Sequence, residues 1–227
     1  MKPTPKKVSD SEQQAGPARF AAGEDPAKRG QILDGAKRAF MALGFDAASM
    51  NDITREAGVS KGTIYVYFQN KEELFAALIE REKGKFTEVL RGVLADSDVV
   101  DEGLHRFGEA FARHITGSDM IPAMRTVLGV VDRMPGLCKR FFAQIPPNAR
   151  SVLDDFIKLH VANGSLRVED TDLAARQFIE LSTGTFFKLR LFGDITQVPP
   201  QAELDRVISS AVRIFMAGYG ARQAVSA

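Results

Sequence analysis

The chain has 227 residues, 44% of them apolar and 26% charged, with a formal net charge of +1. That is room for one large domain or two small ones with a sizeable core, and the near-neutral total excludes a polycation, so any hold on nucleic acid must come from a local patch. One cysteine, Cys138, excludes an intramolecular disulfide. No apolar run approaches the ~20 residues that span a bilayer, and no apolar core follows the N-terminal lysines, so a cytoplasmic setting without a membrane partner is expected.

Residues 1–26 are rich in Pro, Ser, Gln, Gly and charge, with Phe20 their one aromatic. They should be a largely disordered tail. Lys2, Lys6 and Lys7 leave two readings open, a basic arm that touches DNA and a plain solvated tail. From Pro26 onward Ile32, Leu33, Ala36, Phe40 and Leu43 recur at helical spacing, and Gly44 supplies a stop. Ser49 with Asp52 reads as a capping pair for a second helix carrying Ile53 and Ala57. Gly58 can take the left-handed conformation of a sharp turn. Ser60 caps a short third helix to about Phe68, and Val59 can staple onto Ile64. Asn70 with Glu73 opens a long fourth helix that runs into the nineties. Beyond it, periodic apolar residues predict helices near 99–117, 119–133, 135–144, 147–163, 170–192 and 201–218, punctuated by Pro and Gly. No strand-like alternation and no fixed repeat occurs, so the fold class is all-α.

Ile53, Ala57–Gly58 and Ile64 form a helix-turn-helix pattern, in which the second helix enters the DNA major groove with its N-terminal residues forward. Ile64 and Phe68 turn to the core, so Lys61, Thr63, Tyr65 and Tyr67 read as the opposite face, with Gly62 allowing close backbone approach. Lysine reaches guanine acceptors or phosphate, threonine suits a thymine methyl, and tyrosine hydroxyls suit phosphate. Lys71, at the start of the long helix, is placed to clamp a phosphate together with free backbone N–H groups. Seven Lys/Arg oppose four acids between residues 27 and 71, a modest local excess.

Such geometry also occurs in ordinary bundles; the whole run from Ile32 to Leu78 carries the distinction. "ILDGAKRAFMALGFDAASMNDITREAGVSKGTIYVYFQNKEELFAALI" resembles the DNA-binding domain of the TetR family of bacterial transcriptional regulators. Phe40, Gly44, Ile53, Ala57, Gly58, Val59, Ser60, Gly62, Thr63, Tyr65, Phe68, Lys71 and Leu74 fall into its pattern. "FFKLRLFGD…AVRIFMAGYGAR" resembles the C-terminal domain of the AefR-like branch. The resemblance implies a homodimer on a palindromic double-stranded operator, with a second domain that receives a small molecule or partner. It divides the chain into a tail at 1–26, a helix-turn-helix domain at 27–73 and a helical regulatory and dimerisation domain at 74–227. By position it puts base-region contacts on Asn51, Lys61, Gly62 and Thr63, and phosphate contacts on Tyr65, Tyr67 and Lys71. Val66 and Met50 depart from the polar or larger groups of some relatives, which leaves open which bases are read.

In the second domain, Phe178, Leu181, Gly184, Leu204, Ile208, Ala211 and Phe215 are the expected dimer residues, on two late helices apolar on more than one face. Gly184 inside a helix reads as a site of close helix approach. The same residues would also serve a monomeric bundle core. Pocket candidates are Phe86, Phe107, Phe111, Met120, Met124, Leu128 and Phe141, with His114 and Arg125 as polar anchors, and an apolar or aromatic effector fits them. Cys138 reads as a buried small hydrophobe beside the alternative of an oxidation sensor. His105, His114 and His160 lack ligand spacing for zinc, so neither metal nor cofactor is expected. No phosphate loop, HExxH, nucleophile elbow or redox Cys pair supports an enzyme. A repressor released by ligand is the leading expectation; a DNA-bound regulator governed by a protein partner is the other.

Overall fold

The computed structural model describes residues 21–95, 97–136, 139, 147–184 and 186–221. Ten helices occur among the described residues: α1 (Pro26–Ala47), α2 (Met50–Ala57), α3 (Lys61–Tyr67), α4 (Lys71–Ala95), α5 (Val100–Thr116), α6 (Met120–Val130), α7 (Ala149–Ala162), α8 (Thr171–Thr183), α9 (Phe186–Phe192) and α10 (Gln201–Tyr219). The chain is all-α; an isolated antiparallel bridge joins Leu166 to Gly220. None of the described helices is long and apolar enough to cross a membrane. Most of the tail, Cys138, Phe141 and most of the helix expected near 135–144 lie outside the described residues.

Local sequence sets the N-terminal helices. Asp25 caps α1 by accepting from the N–H groups of Ala27 and Lys28, and Pro26 follows, where its missing N–H costs nothing. Gly44 interrupts α1 at φ 75°, and the chain runs on through Ala47 beyond the kink. Ser49 and Asp52 complete a reciprocal capping box on α2, and Gly58 ends that helix in the left-handed region. Ser60 Oγ accepts from Thr63 N–H at 3.0 Å to start α3. Ile32, Leu33, Ala36, Phe40, Ile53, Ile64 and Phe68 bury against Leu74, Phe75 and Leu78, so the first two turns of α4 complete this core. Phe40, Phe45 and Phe75 meet with ring centroids 4.9–5.6 Å apart.

The second core surrounds α5. Leu104, Phe107 and Ala112 pack with Leu90 and Leu94 of α4, Leu153 and Ile157 of α7, Ala174 and Phe178 of α8, and Leu204, Ile208 and Phe215 of α10. The continuous helix expected over 170–192 is instead two. Gly184, at φ 52° and ψ −139°, separates α8 from α9, so it serves a turn rather than a close helix crossing. A Cβ there would lie 3.4 Å from Val207 Cγ1, an ordinary contact. Arg190, buried in α9, donates to the carbonyls of Thr116 and Thr196 and thereby caps the C-terminus of α5.

α6 joins the two cores. Its Val127 and Val130 are buried in the N-terminal cluster, with Met134 packed beside them. Just beyond it, Arg133 makes a two-pronged ion pair with Asp46, at 2.7 and 3.0 Å.

Candidate nucleic-acid interface

α2 and α3 are joined by Gly58, Val59 and Ser60 alone, with Val59 N–H donating to Thr54 O at 3.3 Å. Gln31 of α1 donates to Ala57 O at 2.7 Å, which fixes the turn from outside. α1 crosses α2 where Gly35 meets Ala57, so closely that a Cβ on Gly35 would stand 2.5 Å from the Ala57 backbone. This rigid seat presents α3 to solvent.

Ile64 and Phe68 are buried, at 0% and 2% exposure. At about 100° per residue, the direction opposite them falls on Gly62 and Val66, flanked by Tyr65 and Thr63. Lys61, Gly62, Tyr65 and Val66 are indeed exposed, with Tyr65 at 45% and Val66 at 53%. Thr63 and Tyr67 are half-buried; the Thr63 hydroxyl shares a 2.7 Å hydrogen bond with Ser60 Oγ, and the Tyr67 ring packs on the core. The outward surface therefore includes Val66, which the expected contact set omits, and presents less of Tyr67 than that set supposes. Helical phase alone identifies Val66. Asn51 is exposed on the first turn of α2, next to Met50, whose side chain packs on the core.

Lys71 requires a correction. Its ammonium donates to the carbonyls of Phe45, Asp46 and Ala48 at 2.7, 3.0 and 3.1 Å and sits 4.6 Å from the Phe45 ring centroid. An ammonium has three protons, and all three are used. Lys71 ties the end of α1 and Ala48 to the start of α4, and its ammonium has no proton left for the phosphate contact expected of it.

A charged and aromatic layer lies where α1, α4 and α5 meet. Lys37 of α1 pairs with Glu82 of α4 at 2.8 Å, and Lys85 reaches the same carboxylate at 3.1 Å. Burial pushes the Glu82 carboxyl up, but hydrogen bonds from Lys37 and Lys85 outweigh it and hold it down at about 2. Arg81 reaches Asp34 at 2.9 Å and Gly30 O at 3.2 Å. His114, at the end of α5, stacks on Phe86 with centroids 3.6 Å apart and planes 11° off parallel. Burial, then Lys37, lower the His114 imidazole below its ordinary value, with Glu82 opposing.

Of the pocket candidates, the structure brings Phe86, Phe107, Phe111 and His114 into one stack between α4 and α5. It does not add the rest. Leu128 is 49% exposed, while Phe107 within the stack is fully buried core. Arg125 donates to Arg190 O and Leu191 O, both at 3.0 Å, which ties α6 to α9 and answers its polar groups within the chain. Met120 and Met124 are half-buried on α6.

The dimer candidates divide likewise. Phe178, Leu204, Ile208, Ala211 and Phe215 are at most 2% exposed within the single chain. They fill the space between α5, α8 and α10 within the single chain, and of these five Phe215 also lines the groove between α8 and α10. Leu181 (37%) and Ile214 (55%) are exposed, facing one groove between α8 and α10 with Arg176, Gln177, Gly218 and Tyr219. Gly184 is half-buried beyond that groove.

Residues 32–78 match the family model described as bacterial regulatory proteins, tetR family, and residues 102–221 match that of the AefR-like transcriptional repressor C-terminal domain. The HTH-type transcriptional repressor AcnR of Corynebacterium glutamicum is 34% identical over 91 residues, 36% of this chain and 48% of that protein. The chain spans about half or less of the length of the curated relatives it matches. Among solved structures, a TetR-family regulator from Mesorhizobium loti superposes with TM-score 0.77 at 24% identity, over 86% of this chain and 97% of that one. The flavonoid-responsive regulator FrrA gives 0.69 at 26% identity, over 88% and 100%.

Proposed function

Starting from the TetR family of bacterial regulatory proteins, to which this chain belongs, we propose that it is a sequence-specific repressor. It binds a palindromic operator as a homodimer and leaves it when a small apolar or aromatic ligand binds. One observation carries this reading. A short helix, capped by Ser60 and turned by Gly58, stands on a rigid two-helix seat and offers Lys61, Gly62, Tyr65 and Val66 to solvent. Such a helix suits a major groove, where lysine reads guanine acceptors and valine packs against thymine methyls. The dimer surface is the α8–α10 groove around Leu181 and Ile214.

Ligand response follows from the junction. The Phe86–His114 stack lies one turn of α4 beyond Glu82, whose carboxylate holds α1 through Lys37. A ligand that wedges into this stack moves α4 against α1, and α6 with it, because Val127 and Val130 are rooted in the N-terminal core. Two recognition helices must sit about 34–36 Å apart to share one face of DNA, so a shift of a few Å unseats one. Only differential affinity for the two forms drives release. The aromatic class agrees with the stack and with the name of FrrA.

The test is retention of the purified chain on the DNA upstream of its own gene, with and without small-molecule extracts. Binding that apolar extracts release supports the reading. Release by a protein fraction and by no small molecule transfers control to a partner, and binding to no duplex refutes the DNA-binding role.

A further inference from the structure

With Lys71 held by three carbonyls, the phosphate contact expected of it must come from elsewhere. Two cations of α1 are also engaged within the chain. Lys37 meets Glu82 at 2.8 Å, and Arg38 meets the Glu56 carboxylate at 3.2 Å and donates to the Glu56 backbone carbonyl. Arg55, the one cation in α2, stands apart. Its side chain is 70% exposed. Ile53 and Ala57 are buried, and at about 100° per residue the direction opposite them falls on Arg55, with Asn51 about 40° to one side. Arg55 and Asn51 thus form one outward ridge on α2, a single turn apart.

Asp52 aims the Arg55 guanidinium. Its Oδ1 accepts from Arg55 Nη2 at 2.7 Å, while its Oδ2 accepts from Ser49 N–H at 3.0 Å and from the Ser49 hydroxyl in the capping box. Among the described residues this engages one of five N–H donors and leaves the rest of a rigid, planar fork open. A fork of that shape meets two oxygens of a phosphate at once. In a helix-turn-helix, the helix before the reading helix crosses the sugar–phosphate backbone, and α2 holds that place ahead of α3.

We propose that Arg55 is the phosphate anchor of each half-site, supplying from α2 the charge-assisted contact that Lys71 does not make, with Asp52 as the residue that positions it. This rests on the reading of α3 as the DNA-facing helix. The anchor carries no sequence information. It fixes the depth and register at which Lys61, Tyr65 and Val66 meet the base edges, and it adds affinity to every duplex alike.

The experiment compares the full chain with Arg55→Gln, Arg55→Lys and Lys71→Met by fluorescence anisotropy from about 50 to 200 mM salt. Two probes serve, a random duplex of roughly 30 base pairs and the DNA upstream of the chain's own gene. Arg55→Gln should weaken both complexes by the same factor, roughly tenfold, and lower the slope of log K against log salt by about 2 per dimer, about 0.9 for each phosphate. Arg55→Lys should keep the slope, because the charge remains, yet bind severalfold more weakly, because an ammonium lacks the fork. Lys71→Met should keep the slope of the full chain. Urea midpoints should be unmoved in both Arg55 variants, since the pair with Asp52 is exposed. An unchanged slope in Arg55→Gln, a loss confined to the upstream site, or full affinity in Arg55→Lys overturns the anchor. Failure of the full chain to bind either probe instead refutes the DNA-binding reading on which it rests.

Discussion

Gly35 and Gly30 lie on the same helix and predict opposite outcomes for the same change. At Gly35 an added methyl would stand 2.5 Å from the Cα, Cβ and N atoms of Ala57, whereas ordinary contact begins near 3.4 Å. No rotamer of any side chain relieves a clash with backbone, so α1 and α2 must part by about 1 Å. Overpacking of this kind costs about 1–3 kcal/mol, here the upper end, and the gain in helix propensity returns ~0.5–1. Gly35→Ala should therefore destabilise by about 2 kcal/mol and, by displacing α2 and α3 together, weaken DNA binding. At Gly30 nothing lies within 4 Å of the added methyl. Gly30→Ala should stabilise by ~0.5–1 kcal/mol, mainly by restricting the unfolded chain. Urea midpoints at fixed protein concentration give both values, and anisotropy gives the DNA affinity. If Gly35→Ala is as well tolerated as Gly30→Ala, the seat of the recognition helix is not the close crossing described.

Four further outcomes follow from particular contacts. Lys71→Met should cost about 1–3 kcal/mol in urea unfolding, since charged hydrogen bonds to three carbonyls are lost, while the salt slope of DNA binding stays unchanged. A slope lower by about one unit would return Lys71 to the phosphate backbone. Ile214→Asp, on the exposed side of α10, should give folded monomers by sedimentation that no longer hold the operator, whereas Phe215→Asp should unfold the second domain; a persistent Ile214→Asp dimer places the interface elsewhere. The Glu82 carboxyl is held at about 2 against an ordinary 4.5, so its contribution is fully present above 4.5 and is lost as pH falls toward 2. After allowance for solvent screening this is about 1 kcal/mol, and Lys37→Met should remove much of it. His114, lowered by burial, adds a separate loss as pH falls below 6.5, because the folded state must accept a charge it disfavours; Tm against pH for His114→Phe should lack that step.

What the sequence makes legible here is local. Ser49, Asp52, Gly58 and Ser60 act within three or four residues of their own position, and the helices they bound appear where their spacing puts them. The core face of α3 follows from Ile64 and Phe68 by period alone. Properties that depend on what lies across the fold are not legible. Nothing near Lys71 in sequence announces that the end of α1 and Ala48 after it, 23–26 residues earlier, offer it three carbonyls. Phe215 and Ile214 are adjacent and equally apolar, and only the packing of α5 and α8 makes one core and the other surface. Gly184 reads equally as a helix-packing glycine or a break until its φ is known. Val127 and Val130 read as core in any helix, and the tertiary fold alone sends them into the N-terminal cluster.

The most direct test of the central claim is site-directed cleavage from α3 itself. With Cys138 changed to Ser, a Val66→Cys chain carrying an iron chelate presents the cleavage reagent at the centre of the proposed reading face. On the DNA upstream of its own gene, cutting should fall in two clusters on one side of the duplex. Their centres should lie one helical turn apart, about 34–36 Å, or a whole multiple of it. Cutting that is uniform along the fragment, or confined to a single cluster, would contradict an account in which two copies of α3 read two half-sites.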